Sequence, residues 1–156
     1  MHDPHDLPLS EPASREPRDV AAAFARALDE GDLGRVGRLL SPECECRDGA
    51  LCARGAEAVL ALYRAAASWT ERGFDDVRHV SQVAEVAGTQ AHIEVTSMLM
   101  RMPGRWHRLR YAREIAIGRD GHIATIAHAC ESGAAEAFRV FVRDCEVPSP
   151  PPGFGV

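Results

Sequence analysis

From Val20 onward the apolar residues of this chain recur at helical spacing. Val20, Phe24 and Leu28 fall four apart with Ala23 and Ala27 beside them, which predicts a one-faced helix from an Asp19 cap to about Glu30. Gly31 can take the left-handed conformation that closes it. Asp32 then caps a second helix whose stripe is Leu33, Val36, Leu39 and Leu40, and Pro42 follows its end. Over 43–48 the spacing shortens to two, giving a short strand. Cys44, Cys46 and Asp48 share one face of it, Glu45 and Arg47 the other. After a turn at Gly49, helical spacing returns from Gly55 to about Thr70, with Val59, Leu62, Tyr63 and Ala66 inward and Trp69 extending the stripe.

From Val77 the period is two again. Strands are predicted over 77–86, 90–101, 105–118 and 122–131, separated by Gly88-Thr89, Pro103-Gly104 and Asp120-Gly121. This is a meander of long antiparallel strands. In the second, Ala91, Ile93, Val95, Ser97 and Leu99 face one way and His92, Glu94, Thr96, Met98 and Met100 the other. In the third, Leu109, Tyr111, Arg113, Ile115 and Ile117 align, and in the fourth Ile126, His128 and Cys130 do. A last helix over about 134–143 carries Ala137, Phe138, Phe141 and Val142. Residues 1–18 read as a disordered arm, 19–145 as one α+β domain, and the Pro-rich 146–156 as a disordered tail.

Composition narrows the function classes. A formal net charge of -5 argues against a general nucleic-acid binder. No apolar run reaches the length of a membrane span, and residues 1–18 lack the apolar core of a signal peptide, so a cytoplasmic protein is expected. Five cysteines without an export signal suit reduced thiols. There is no C-x-x-C, H-E-x-x-H, Walker loop or G-x-G-x-x-G.

The order of elements, together with FARALDEGDL at 24–33, the strand ending at Asp48, the Arg54-Gly55 entry to the third helix and IAIGRDGHIATI at 115–126, resembles the nuclear transport factor 2-like superfamily. That superfamily includes SnoaL-like polyketide cyclases, ketosteroid isomerases, scytalone dehydratase and limonene epoxide hydrolase. The resemblance covers residues 20 to 131 and implies an α+β cone, cystatin-like, with N-terminal helices packed on a curved antiparallel sheet. It places Asp48 where ketosteroid isomerases keep their general-base aspartate. Their oxyanion-hole tyrosine falls at Phe24 and their protonated acid at Arg113, so both oxyanion donors are missing and a ketosteroid isomerase is not expected.

Each candidate has two readings. Asp48, an acid on the inward face of an apolar cup, is expected to have a raised pKa and to serve as a base; alternatively it is a turn aspartate bonding its own backbone. His128 is a second acid or base, or a buried neutral histidine. Tyr111 and Arg113, two apart and inward, could stabilise an enolate or carboxylate oxygen, or Arg113 could pair with Asp48 in a closed core. Phe24, Tyr63, Trp69, Ile115, Ile126 and Cys130 are the candidate pocket walls. Cys44, Cys46 and Cys130 read better as buried thiols than as metal ligands. Arg108 and Arg110 lie with His92, Glu94 and Met98 on the outer sheet face, which suits the homodimer face common in this superfamily; an RNA surface there is disfavoured by the charge.

Two functions follow. One is a SnoaL-like enzyme, free of metal and organic cofactor, moving a proton on an apolar oxygenated small molecule in an isomerisation, cyclisation or dehydration. The other is a non-catalytic ligand-binding or dimerisation module of the same fold. A cavity reaching Asp48 favours the first, and an Asp48–Arg113 pair favours the second.

Overall fold

The computed structural model describes residues 16–156. The arm predicted for residues 1–18 therefore lies almost wholly outside the described residues. Helix α1 (Pro17–Asp29) begins two residues before the expected Asp19 cap. Pro17, whose fixed φ suits a first helical turn, starts it after Glu16. Helix α2 (Leu33–Leu39) follows, with Asp32 accepting a bond from the Arg35 amide at 3.1 Å, as its cap position predicts. Then come β1 (Leu40–Asp48), β2 (Leu51–Arg54) and α3 (Ala56–Gly73). The meander is β3 (Asp76–Ala87), β4 (Gln90–Arg101), β5 (Arg105–Ile117) and β6 (Ile123–Ala129), closed by α4 (Ser132–Asp144).

The six strands form one curved, unclosed sheet in the order β2-β1-β6-β5-β4-β3. It is not wholly antiparallel as expected: β1 runs parallel to β6, the chain passing through β2, α3 and the strands β3 to β5 before it returns beside β1. Strand β2 is not among the expected elements, since the sequence over 49–55 predicts only a turn. Its four residues are mostly exposed, so they carry no inward alternation to betray a strand.

The inward stripes are as the periodicity predicts. Val20 and Phe24 of α1, and Val59, Leu62, Tyr63, Ala66 and Trp69 of α3, are buried against Ala91, Ile93, Val95 and Leu99 of β4 and Leu109, Ile115 and Ile117 of β5. In α4 the buried positions are Ala135, Phe138 and Val142; Ala137 points to solvent. Burying side chains of this size contributes about 1.5–3 kcal/mol each, which is what holds helices to sheet.

Residues 146–156 are not a loose tail. They turn back across the mouth of the cup and seat Phe154, 3% exposed, inside it. The Phe154 ring centroid lies 5.6 Å from Trp69, 5.8 Å from Phe138 and 5.9 Å from Tyr111. The Pro-rich composition that suggested disorder overlooks one aromatic side chain with three aromatic neighbours.

Candidate functional site

Strand register assembles the site. Asp48 of β1 stands opposite His128 of β6, and His128 opposite Arg113 of β5, so the three occupy one row across the inner face. Two residues along β5, Tyr111 opposes Val95, and one step further His79 of β3 opposes Ser97 of β4. Facing this row from α3 is Tyr63, on the same helical stripe as Leu62 and Ala66.

On the β1 side the polar groups form a closed chain. Asp48 Oδ2 accepts from the Gly153 amide at 2.6 Å, the Gly155 amide at 3.2 Å and His128 Nδ1 at 3.1 Å. His128 Nε2 lies 2.9 Å from the Tyr63 hydroxyl. Burial pulls the His128 pKa down, and the Asp48 hydrogen bond does not restore it, so the ring is neutral. The network then fixes the tautomer: the proton sits on Nδ1 facing the carboxylate, and Nε2 accepts from Tyr63. Burial drives the Tyr63 pKa well above its ordinary value, which keeps the hydroxyl a donor.

For Asp48 the expectation of a raised pKa is corrected. Burial does push it up, but the hydrogen bonds from His128 and from the Gly153 and Gly155 amides outweigh burial and hold the carboxyl below its ordinary value. Nor is Asp48 a turn aspartate or a partner of Arg113. Its acceptors are spent on His128 and on a segment more than a hundred residues away.

The β5 side is the opposite. Arg113, 6% exposed, holds its guanidinium over the rings of Tyr63 (5.6 Å) and Tyr111 (5.4 Å). Its Nη2 donates to the Tyr111 hydroxyl at 3.3 Å, while Nε and Nη1 are buried with no partner among the described residues. The Tyr111 oxygen also lies 3.5 Å from Ser97 Oγ, which in turn is 2.7 Å from His79 Nδ1. Arg113, Tyr111, His79, Tyr63 and Phe154 border a cavity of about 70 Å³ that also touches Leu28, Leu33, Ala66 and Thr70. That is room for a few waters or one carboxylate group.

Of the predicted site residues, then, the fold gathers Asp48, His128, Tyr111, Arg113 and Tyr63. Trp69 meets the Phe154 ring rather than the cavity. Phe24 packs edge-on against Tyr63 at 6.3 Å, behind the site. Ile115 and Ile126 are fully enclosed core, and Cys130, beyond the end of β6, is half-exposed with its thiol on the Arg110 carbonyl. Burial pushes Cys44 up to about 11 and Cys46 to about 12, so both thiols stay protonated. His79 and Phe154 were missed. His79 was legible, since it shares the inward face of the first long strand with Val77 and Ser81. Phe154 was not, because nothing local says where a tail docks.

Several solved structures share this fold. An epoxide hydrolase of the limonene-epoxide-hydrolase-like type from M. tuberculosis matches at TM-score 0.60 with 18% identity, over 88% of this chain and all (100%) of that one. An NTF2-like protein of unknown function from Burkholderia pseudomallei matches at 0.63 with 18% identity, over 82% and 98%. A candidate polyketide cyclase from Sinorhizobium meliloti matches at 0.55 with 20% identity, over 70% and 93%. No curated protein matches in sequence. The SnoaL-like domain model matches residues 20–126, which runs from the first turns of α1 to the middle of β6 and takes in Asp48, Tyr63, Tyr111 and Arg113. The chain belongs to the SnoaL-like domain family.

Proposed function

We propose that this protein binds a small oxygenated apolar molecule in its cup and moves a proton on it, with Arg113 holding the oxygen that carries negative charge. The observation behind this is the buried guanidinium beside a cavity, two of its nitrogens without a partner among the described residues. A buried charge without partners is costly, and a carboxylate or enolate oxygen is the group that would satisfy it. Membership of the SnoaL-like family, and fold neighbours named as an epoxide hydrolase and a candidate polyketide cyclase, support a small-molecule ligand.

The proton route follows from which groups border the cavity. Tyr63 does; Asp48 and His128 stand behind it. A substrate C–H gives its proton to the Tyr63 oxygen as the Tyr63 proton passes to His128 Nε2. Asp48, held ionised, stabilises the imidazolium, and Arg113 with Tyr111 stabilises the enolate. Return of the proton to another carbon completes an isomerisation; its delivery instead to a β-hydroxyl, which leaves as water as the enolate electrons form the C=C bond, completes a dehydration. The route uses only the chain's own acids and bases, and the free thiols suit action in the cytoplasm. Among the described residues no helix is long and apolar enough to cross a membrane. Exposed Val80, Met100 and Trp106 support self-association through the outer sheet face. A non-catalytic binding module is the second reading, favoured by the tail lying over Asp48.

The test is a thermal shift with acetate and benzoate on wild type and Arg113→Met. A ligand of the folded state raises the melting temperature with its affinity. Stabilisation of wild type but not of the variant is expected. Equal responses, or none to either anion, would remove Arg113 as the anchor.

A further inference from the structure

The groups proposed to do chemistry are covered. The Asp48 and His128 side chains are 3% and 0% exposed, and what lies over Asp48 is the chain's own end. That end is anchored in a particular way. Its hydrogen bonds to the cup are two glycine amides on one carboxylate oxygen and the Pro148 carbonyl on Trp69 Nε1 at 2.9 Å. Its side-chain contribution is centred on one ring, Phe154, wedged among Trp69, Tyr111 and Phe138. Gly155 is drawn in so closely that a Cβ would stand 3.0 Å from the Ala129 carbonyl carbon and 3.1 Å from the Cys130 nitrogen, at a φ of +72° that side chains resist. Phe154 and Gly153 also wall the Arg113 cavity, so the slot they fill adjoins that cavity.

We propose that residues 148–156 occupy this protein's ligand site, the Phe154 ring standing where an aryl group of the ligand sits and the Gly153 and Gly155 amides standing where its hydroxyl donors meet Asp48. The inference rests on the reading of the cup as a small-molecule site and adds the ligand class: an aromatic or planar unsaturated ring bearing a hydroxyl, with an oxyanion within reach of Arg113. A flat ring is favoured because the slot is lined by three aromatic faces and edges, which reward offset and edge-on packing. A donor is favoured because an ionised, buried Asp48 that loses the two amides must regain hydrogen-bond donors from whatever replaces them. Ligand and tail therefore compete. The apparent affinity of the full chain is lowered by the fraction of time the slot is free, and freeing the slot restores it.

The test uses 2-naphthol, a neutral aryl alcohol, and the full chain in a Trp106→Phe background, so that emission comes from Trp69 alone, the other of the chain's two tryptophans. Three variants are compared with it: Phe154→Ala, Gly155→Val, and a chain ending at Val147. Phe154→Ala empties the slot and leaves the backbone; Gly155→Val expels the tail by collision with Ala129. If the tail is seated nine-tenths of the time or more, Gly155→Val and the shortened chain each bind 2-naphthol at least about tenfold more tightly than the parent, and Phe154→Ala, which opens the ring slot but keeps the amides on Asp48, binds it more tightly by a smaller factor. In Gly155→Val the Trp69 emission also shifts red, and the peptide PPGFGV displaces 2-naphthol from the shortened chain. Folded variants that bind 2-naphthol no better than the parent would overturn the inference and make the tail plain core. Acetate separates the two claims, since it needs only the Arg113 cavity. An acetate response that persists while 2-naphthol is indifferent to the tail sinks this inference alone; an acetate response absent from every form sinks the site reading beneath it.

Discussion

The two halves of the cup handle buried polarity in opposite ways. On the β1 side, a carboxylate, an imidazole and a phenol satisfy one another and two backbone amides in an unbroken chain. On the β5 side, a guanidinium sits at similar depth with two of its nitrogens unpartnered among the described residues. Buried polar groups in folded proteins are overwhelmingly paired, so an unpaired cation is the exception that asks for a partner from outside. The satisfied half has its geometry set in advance. The unsatisfied half has affinity in reserve.

The sharpest way to break this contrast is to delete the centre of the satisfied half. Asp48→Ala leaves two amides and His128 Nδ1–H without their acceptor, and a loss of about 4 kcal/mol in urea unfolding is expected. A loss under about 1 kcal/mol would mean that the chain of bonds contributes little and the halves do not differ. Arg113→Met tests the other side and should move stability the opposite way. Replacing an uncompensated buried charge with an apolar side chain of similar length is expected to stabilise by about 2 kcal/mol while abolishing the acetate response. Destabilisation by a similar amount would show that the guanidinium is already paired.

Acid separates the halves next. Burial first, and for His128 and His79 also the nearby Arg113 charge, holds both pKa values below the ordinary 6.5 despite the opposing Asp48 and Asp29 carboxylates. His107 is lowered by burial as well. The unfolded chain therefore binds more protons just below pH 6.5, and stability present above that value is lost as the pH falls through the folded-state values. Asp48, also lowered, adds a second loss starting below 3.8. Unfolding midpoints measured from neutral pH downward should fall, with a shallower slope in His128→Gln. Stability that rises on mild acidification would mean a charged His128 paired with Asp48.

How much of this was legible beforehand divides along the same line. Period-two alternation put Asp48, Arg113, Tyr111 and His128 on inward faces, because alternation is a property of a strand alone. Which of them touch is a property of register, and the parallel pairing of β1 with β6 sets Asp48 against His128 rather than Arg113. No local pattern in 43–48 or 122–131 encodes that choice. The sign of the Asp48 shift depends on donors from His128 and from Gly153 and Gly155, the last two being backbone groups with no side chain to advertise them. Burial was readable from composition and spacing; compensation for burial came from the far end of the chain.

Tyr63 belongs to both halves, and its removal gives the smallest but most discriminating effect. Its hydroxyl ends the satisfied chain at His128 Nε2, while its ring carries the Arg113 guanidinium and borders the cavity. Tyr63→Phe keeps the ring, the edge-on contact with Phe24 and the cation above it, and takes away one donor. Stability should fall by about 1 kcal/mol, the net worth of a single neutral hydrogen bond. Acetate should still stabilise the variant, because Arg113 is untouched. Proton exchange on a bound carbon acid should be lost, because the group that meets the substrate is gone. Nitrogen NMR of His128 adds a readout that stability cannot supply: the proton should stay on Nδ1, held by Asp48. If it moves to Nε2 instead, Tyr63 rather than Asp48 sets the tautomer, and the direction of the proton route reverses.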